Sequence, residues 1–174
     1  METNENTKPT RISILLPTNA YFMSGIRDFT MSFIKNATQF NEQWAYRFQS
    51  IVDELCNNAI EYGSTPGQDI KLTLTYKPGD CLEIIVEDTG TAKVKRTAAE
   101  VQKIVDEKRK PGYIHTGIRG RGLSNIVSNW SDEVTFKDIP NGGVMVIAKK
   151  KLIQEPQSTT SSVVSDPTHL VLPS

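Results

Sequence analysis

Residues 70–76 alternate without a break: Ile70, Leu72, Leu74 and Tyr76 are apolar, and Lys71, Thr73 and Thr75 between them are polar. Successive side chains of a strand point to opposite faces, so this period of two predicts a strand with one apolar and one wet face. Such a strand belongs in a sheet whose apolar side is covered. A turn at Pro78 and Gly79 leads to a second strand over residues 81–87. A hairpin of residues 133–137 and 144–150 closes through Asn141, Gly142 and Gly143, and residues 11–16 form a further strand closed by Pro17.

Amphipathic helices supply the cover. Phe22, Ile26, Phe29 and Phe33 recur at helical spacing over residues 20–36, with Thr18 or Asn19 available as the cap. Trp44, Phe48, Ile51, Val52, Leu55 and Ala59 make a stronger stripe that ends near Gly63, as expected for a C-terminal glycine. A third helix is expected over residues 98–110, stopped by Pro111 and Gly112, inside a charged stretch that reads as solvated and mobile. A short fourth one, residues 123–130, follows Gly120 and Gly122. Hairpins segregated from helices predict an α+β protein: a two-layer α/β sandwich with a mixed, mostly antiparallel sheet covered by helices on one face.

Composition narrows the function classes. With 20 Lys plus Arg against 20 Asp plus Glu, the formal charge is zero, so nothing calls for a nucleic-acid backbone or an anionic lipid surface. No apolar run is long enough to span a bilayer, and the polar start carries no secretory signal, so a cytoplasmic location without membrane or direct nucleic-acid contact is expected. The polar residues 1–10 read as a flexible N-terminus, 11–151 as one folded domain, and the Ser-, Thr-, Pro- and Gln-containing residues 152–174 as a flexible tail. Cys56 and Cys81 are expected reduced and buried, with no zinc spacing and no disulfide framework. His115 and His169 fall in a loop and the tail, and Asp53 and Glu61 are expected to be solvated.

Three segments carry chemistry. Glu54 and Asn58 lie one turn apart on the second helix, about 40° apart at roughly 100° per residue, at the margin of its apolar stripe. An amide oxygen there can bind a hard cation such as Mg²⁺ while the carboxylate takes a proton from a nucleophile; the alternative is two solvated helix-face residues. Asp88 ends an apolar strand and Gly90 follows, so Asp88 could accept a hydrogen bond from an adenine amino group; taken alone, the pair reads rather as a strand ending in a turn. Gly120 and Gly122 precede a helix whose bared N–H groups suit phosphates, with Arg119 or Arg121 adding charge; alone, this reads as a flexible loop. It is neither a dinucleotide fingerprint nor a P-loop.

Taken in order, Glu-x-x-x-Asn-Ala (Glu54 to Ala59), Asp-x-Gly (Asp88 to Gly90) and Gly-x-Gly-Leu (Gly120 to Leu123) resemble the ATP site shared by histidine kinases, gyrase-type ATPases and anti-sigma serine kinases. Within that superfamily the chain most resembles the anti-sigma-factor serine kinases over the whole of residues 11–151, including the Leu-Pro that ends the first strand and the Ser131-Asp132-Glu133-Val134 run opening the last hairpin. The resemblance implies a Bergerat-type ATP-binding fold with a lid over residues 91–116, and an ATP- and Mg²⁺-dependent serine kinase that phosphorylates an anti-anti-sigma factor and otherwise sequesters a sigma factor, as a homodimer. It assigns Glu54 as general base and Asn58 as metal ligand. Nucleotide binding falls to Asn58, Asp88, Gly90, Arg119, Gly120, Arg121, Gly122 and Leu123. The chain departs from the family pattern at Ala92, where a second glycine is common, at Val144, where a hydroxyl residue is common, and at Ile118, where some members carry Arg. The first two motivate an alternative, an ATP-sensing partner-binding module without phosphotransfer. A detached histidine-kinase catalytic domain is disfavoured because the chain opens with its own strand and has no dimerising histidine helix.

Overall fold

In the computed structural model, which describes residues 8–108, 110, 122–123, 127–140 and 142–153, the chain opens with strand β1, Thr10–Pro17. Asn19 then caps a short 3₁₀ turn by accepting from the Tyr21 N–H at 2.9 Å, and helix α1, Met23–Ala37, follows. Its buried residues Met23, Ile26, Thr30, Phe33 and Ile34 fall on one face, and the Thr30 hydroxyl donates to the Ile26 carbonyl at 2.8 Å, which satisfies that buried donor. Asn41 caps α2, Glu42–Asn58, through the Trp44 N–H at 3.0 Å, and buries Ala45, Phe48, Ile51, Val52, Leu55 and Cys56. The two helices pack together and are tied by an Arg27–Asp53 ion pair at 2.7 Å. Asp53 is therefore a paired residue facing α1, a correction to the solvated role expected of it; a partner 26 residues away leaves no mark in local periodicity.

Strands β2 (Asp69–Lys77), β3 (Cys81–Glu87), β4 (Glu133–Asp138) and β5 (Val144–Lys151) complete a five-stranded sheet of order β1-β2-β3-β5-β4. Every pairing among the described residues is antiparallel. The register sets Ile14, Leu72, Val86 and Val146 in one row and Ile12, Leu74, Ile84 and Ala148 in the next, and these meet the inner faces of α1 and α2. Each fully buried Leu, Ile or Phe in that layer is stabilised by about 1.5–3 kcal/mol of transfer free energy. The other face carries cross-strand ion pairs such as Lys71–Glu87 at 3.1 Å, yet it is not uniformly wet. Thr73 is fully buried there, sharing a 2.9 Å hydrogen bond with Ser13 and lying opposite Ile85. An inner strand can lose water on both faces to its neighbours, which alternation within that strand does not reveal.

Helix α3, Ala98–Lys108, follows β3, and α4 is a single turn, Ser128–Trp130, within the expected helix 123–130, whose residues 124–126 lie outside the described residues. The stretch around α3 is less solvated than expected, because Ala98 and Val105 are buried and the helix packs on β4. Cys56 and Cys81 are free and buried. No helix among the described residues is long and apolar enough to cross a membrane.

Candidate functional site

The C-terminal end of α2 carries the first pair. Glu54 and Asn58 are half-buried, and Asn58 Nδ2 donates to Glu54 Oε1 at 2.8 Å. An ionised carboxylate only accepts, so the amide nitrogen faces Glu54 and Asn58 Oδ1 is turned away, accepting from no described residue. Beyond Asn58 the helix widens into one π turn, Ala59–Gly63, a local distortion that recurs at functional sites. It brings Gly63 against Asp88: a Cβ at position 63 would lie 2.3 Å from Asp88 Cγ.

Asp88 follows the last residue of β3 and is held from the neighbouring strand. Its N–H donates to the Val144 carbonyl at 3.1 Å, and its Oδ1 accepts from the Gly90 N–H at 2.9 Å and the Val144 N–H at 3.0 Å. Oδ2 accepts from no described residue and lies beside Gly63. Burial pushes the Asp88 carboxyl up from its ordinary value, against the opposing pull of the Val144 and Gly90 amides. Gly90 is required by its place: its φ is +62°, and a Cβ there would come within 2.4 Å of the Gly142 carbonyl carbon. The Thr89 N–H donates to Ser64 Oγ at 3.2 Å and the Thr65 N–H to Thr91 Oγ1 at 3.0 Å, so the π turn and the Asp88 loop are joined directly.

Between these two groups lies a cavity of about 400 Å³, walled by Leu55 of α2, Ala59 of the π turn, Val86 of β3, and Val144 and Val146 of β5. That size is within the roughly 300–1,000 Å³ typical of small-molecule sites. Glu54, Asn58, Asp88, Gly90 and Leu123 all line it. Gly122 joins them from another direction, since a Cβ there would fall 1.9 Å from Glu54 Cδ, so the third motif closes against the first. Arg119, Gly120 and Arg121 lie outside the described residues, as do His115, His169 and residues 109 and 111–116 of the expected lid.

Sequence reasoning missed one wall. Val101, Ile104 and Lys108 of α3 face the cavity, and Lys95 and Arg96 line it just before the helix. The spacing 101, 104 and 108 is a helical face visible in the sequence, obscured by the charges around it. The departures also sit in the wall: the Val144 side chain and Ala92 both line the cavity. No cluster of three or more His, Cys, Asp or Glu that could hold a metal occurs among the described residues. An oxygen-seeking cation would find instead the Asn58 amide oxygen beside a carboxylate, to be completed by oxygens of a ligand. The cavity thus offers a half-buried acceptor at Asp88, a hard-cation oxygen at Asn58, a proton acceptor at Glu54 and cations at Lys95 and Arg96. These groups fit a purine nucleotide with its polyphosphate and metal.

An antiparallel α+β sandwich with a cavity between its second helix, its inner strands and a covering helix has the form of a small-molecule-binding domain. The chain matches the model of the histidine kinase-like ATPase domain over residues 16–150, and it belongs to that family. Membership supports ATP binding and an ATP-using activity. No curated protein matches the chain.

Proposed function

We propose that this protein is an ATP- and Mg²⁺-dependent protein serine kinase and anti-sigma factor, which phosphorylates an anti-anti-sigma partner in a partner-switching pathway, otherwise sequesters a sigma factor, and works as a homodimer. The observation that carries the reading is the Glu54–Asn58 pair, joined at 2.8 Å on the wall of the cavity in a domain of an ATP-binding family. Bound Mg²⁺–ATP would supply the phosphoryl group and neutralise charge as it is transferred. Asp88 Oδ2 would accept a hydrogen bond from the adenine amino group, and Gly90 would let the neighbouring backbone lie close to the base. Asn58 Oδ1 would hold the metal, while its amide nitrogen, donating to Glu54 Oε1, orients Glu54. Glu54 accepts the proton of the partner's serine hydroxyl. On the family resemblance, Gly122 and Leu123, with Gly120, Arg119 and Arg121 of the same motif, would receive the phosphates.

The test is incubation of the purified chain with labelled ATP and candidate partner domains. Label on a partner serine is expected. Glu54→Gln should keep ATP and partner binding while slowing phosphorylation by about 10² to 10⁴. Asn58→Ala should lose Mg²⁺-dependent nucleotide binding and phosphorylation together. Wild-type phosphorylation by Glu54→Gln would remove Glu54 as the base. The alternative reading, an ATP-sensing partner-binding module, is favoured by Val144 and Ala92 in the cavity wall. A stable partner complex that never acquires label would establish it.

A further inference from the structure

We propose that Asp138, remote from the reacting groups, is the positioning residue that anchors α3 over the nucleotide cavity. Val101 and Ile104 make α3 one wall of that cavity, so the position of this helix sets the shape of the site. Its N-terminus is built by a capping box: the Thr97 N–H donates to Glu100 Oε2 at 2.7 Å, and the Glu100 N–H donates to Thr97 Oγ1 at 3.3 Å. Both bonds are internal to the segment and cannot fix it to the sheet. The tie to the sheet is the Ala98 N–H, which donates to Asp138 Oδ1 at 2.7 Å, with Ala98 and Val105 buried as α3 packs on β4. An ionised carboxylate on the first-turn amide also opposes the positive end of the helix dipole.

The placement of Asp138 gives the tie its consequence. Asp138 ends β4 and pairs in register with Val144, the residue whose N–H holds Asp88 Oδ1 at 3.0 Å. One cross-strand pair therefore carries the covering helix on one strand and the base acceptor on the other. The turn between them is closed by the Ile139 N–H to the Gly143 carbonyl at 3.0 Å and the Gly142 N–H to the Ile139 carbonyl at 2.9 Å. Movement of α3 about its N-terminus thus pivots on the same hairpin end that holds Asp88. Asp138 is exposed and lines no part of the cavity, so its effect acts through α3.

The consequence for nucleotide release rests on the ATP-binding reading; the anchoring does not. In the full chain, Asp138→Ala removes the acceptor, and Asp138→Asn keeps an oxygen in its place. Loss of a capping acceptor is worth about a fivefold change in a local equilibrium, so hydrogen exchange of amides 98–108 should quicken about fivefold in Asp138→Ala, with β2 and β3 amides unchanged. Asp138→Asn should restore most of the protection. Stopped-flow release of a fluorescent ATP analogue should accelerate about as much in Asp138→Ala and return towards wild type in Asp138→Asn. Unchanged exchange over 98–108 with an intact core overturns the anchor, whatever the nucleotide does. Faster exchange with an unchanged release rate overturns the link to the site. Failure of the wild type to bind nucleotide would instead sink the ATP reading and leave the exchange result to decide the anchor.

Discussion

Replacing Asp88 by Asn isolates one atom of the site. Asp88 Oδ1 accepts from Gly90 at 2.9 Å and Val144 at 3.0 Å, and an Asn side chain can present its own oxygen to both donors. The loop is therefore retained, and only the group beside Gly63 changes, from an acceptor oxygen to an N–H donor. A hydrogen bond to a charged acceptor contributes about 1.5–3 kcal/mol, so its loss alone weakens ATP binding by roughly 10- to 150-fold, and two opposed donors weaken it further. Stability moves the other way. Burial raises the Asp88 carboxyl in the folded protein above its unfolded value, so the native state binds its proton more tightly. Its contribution to stability falls as pH rises from the ordinary carboxylate range through that raised value. At neutral pH the wild type bears a cost of buried charge that Asn lacks. Asp88→Asn should bind no Mg²⁺–ATP detectable by calorimetry, yet unfold in urea at the wild-type midpoint or above it at pH 7, with any gain shrinking towards acid pH. Unchanged affinity would take Asp88 out of the site. A clear loss of stability at pH 7 would refute the argument from burial.

Gly122→Ala should push Glu54 off Asn58 and lower any serine phosphorylation by about 10²-fold or more with an unchanged urea midpoint, because the new Cβ would lie 1.9 Å from Glu54 Cδ; a wild-type rate would show that the approach is relieved elsewhere. Phe48→Ala should cost about 3–5 kcal/mol in urea unfolding, since Phe48 is 1% exposed and meets the Phe40 and Trp44 rings at 4.9 and 5.5 Å; a cost under about 1 kcal/mol would mean that the layer collapses into the space. The Cys56 thiol, pushed up to about 12 by burial and then by the Asp53 charge, should resist a thiol reagent at pH 8 in the native protein and react only as fast as the chain unfolds.

What is legible in the sequence follows from how local each determinant is. The alternation at Ile70, Leu72, Leu74 and Tyr76 predicts β2 because one strand's own geometry produces it, and the buried stripe of α2 is legible for the same reason. Glu54 and Asn58 are legible as a pair because a single helix sets their spacing. Thr73 is not, because its burial comes from β1 and β3 rather than from β2. The surroundings of Asp88 are legible only in part: Gly90 is two residues on, but Gly63 and Val144 come from other segments, and only folding brings them to the carboxylate. The Asp138–Ala98 tie spans 40 residues and has no local signature at all.

The two ends of the cavity are supported independently, and that bears on what the family departures mean. Asp88 is held by backbone N–H groups, one of them from Val144, so a valine in place of a hydroxyl residue leaves the carboxylate where it is. What the position lacks is a side-chain hydroxyl on the cavity wall, which on the proposed reading would alter how tightly a base is held rather than how the site is built. Ala92 stands in the wall near the same end of the sheet-side loop, and neither residue has a hydrogen bond to Glu54 or Asn58 among the described residues. Glu54 depends instead on α2, on the Asn58 amide and on the approach of Gly122. On the proposed reading, Val144 and Ala92 therefore bear on nucleotide affinity, while any phosphoryl transfer would rest with Glu54 and Asn58, which carry no such departure. A chain that had become a pure nucleotide sensor would keep the first set and have no use for a carboxylate oriented by Asn58 on the cavity wall.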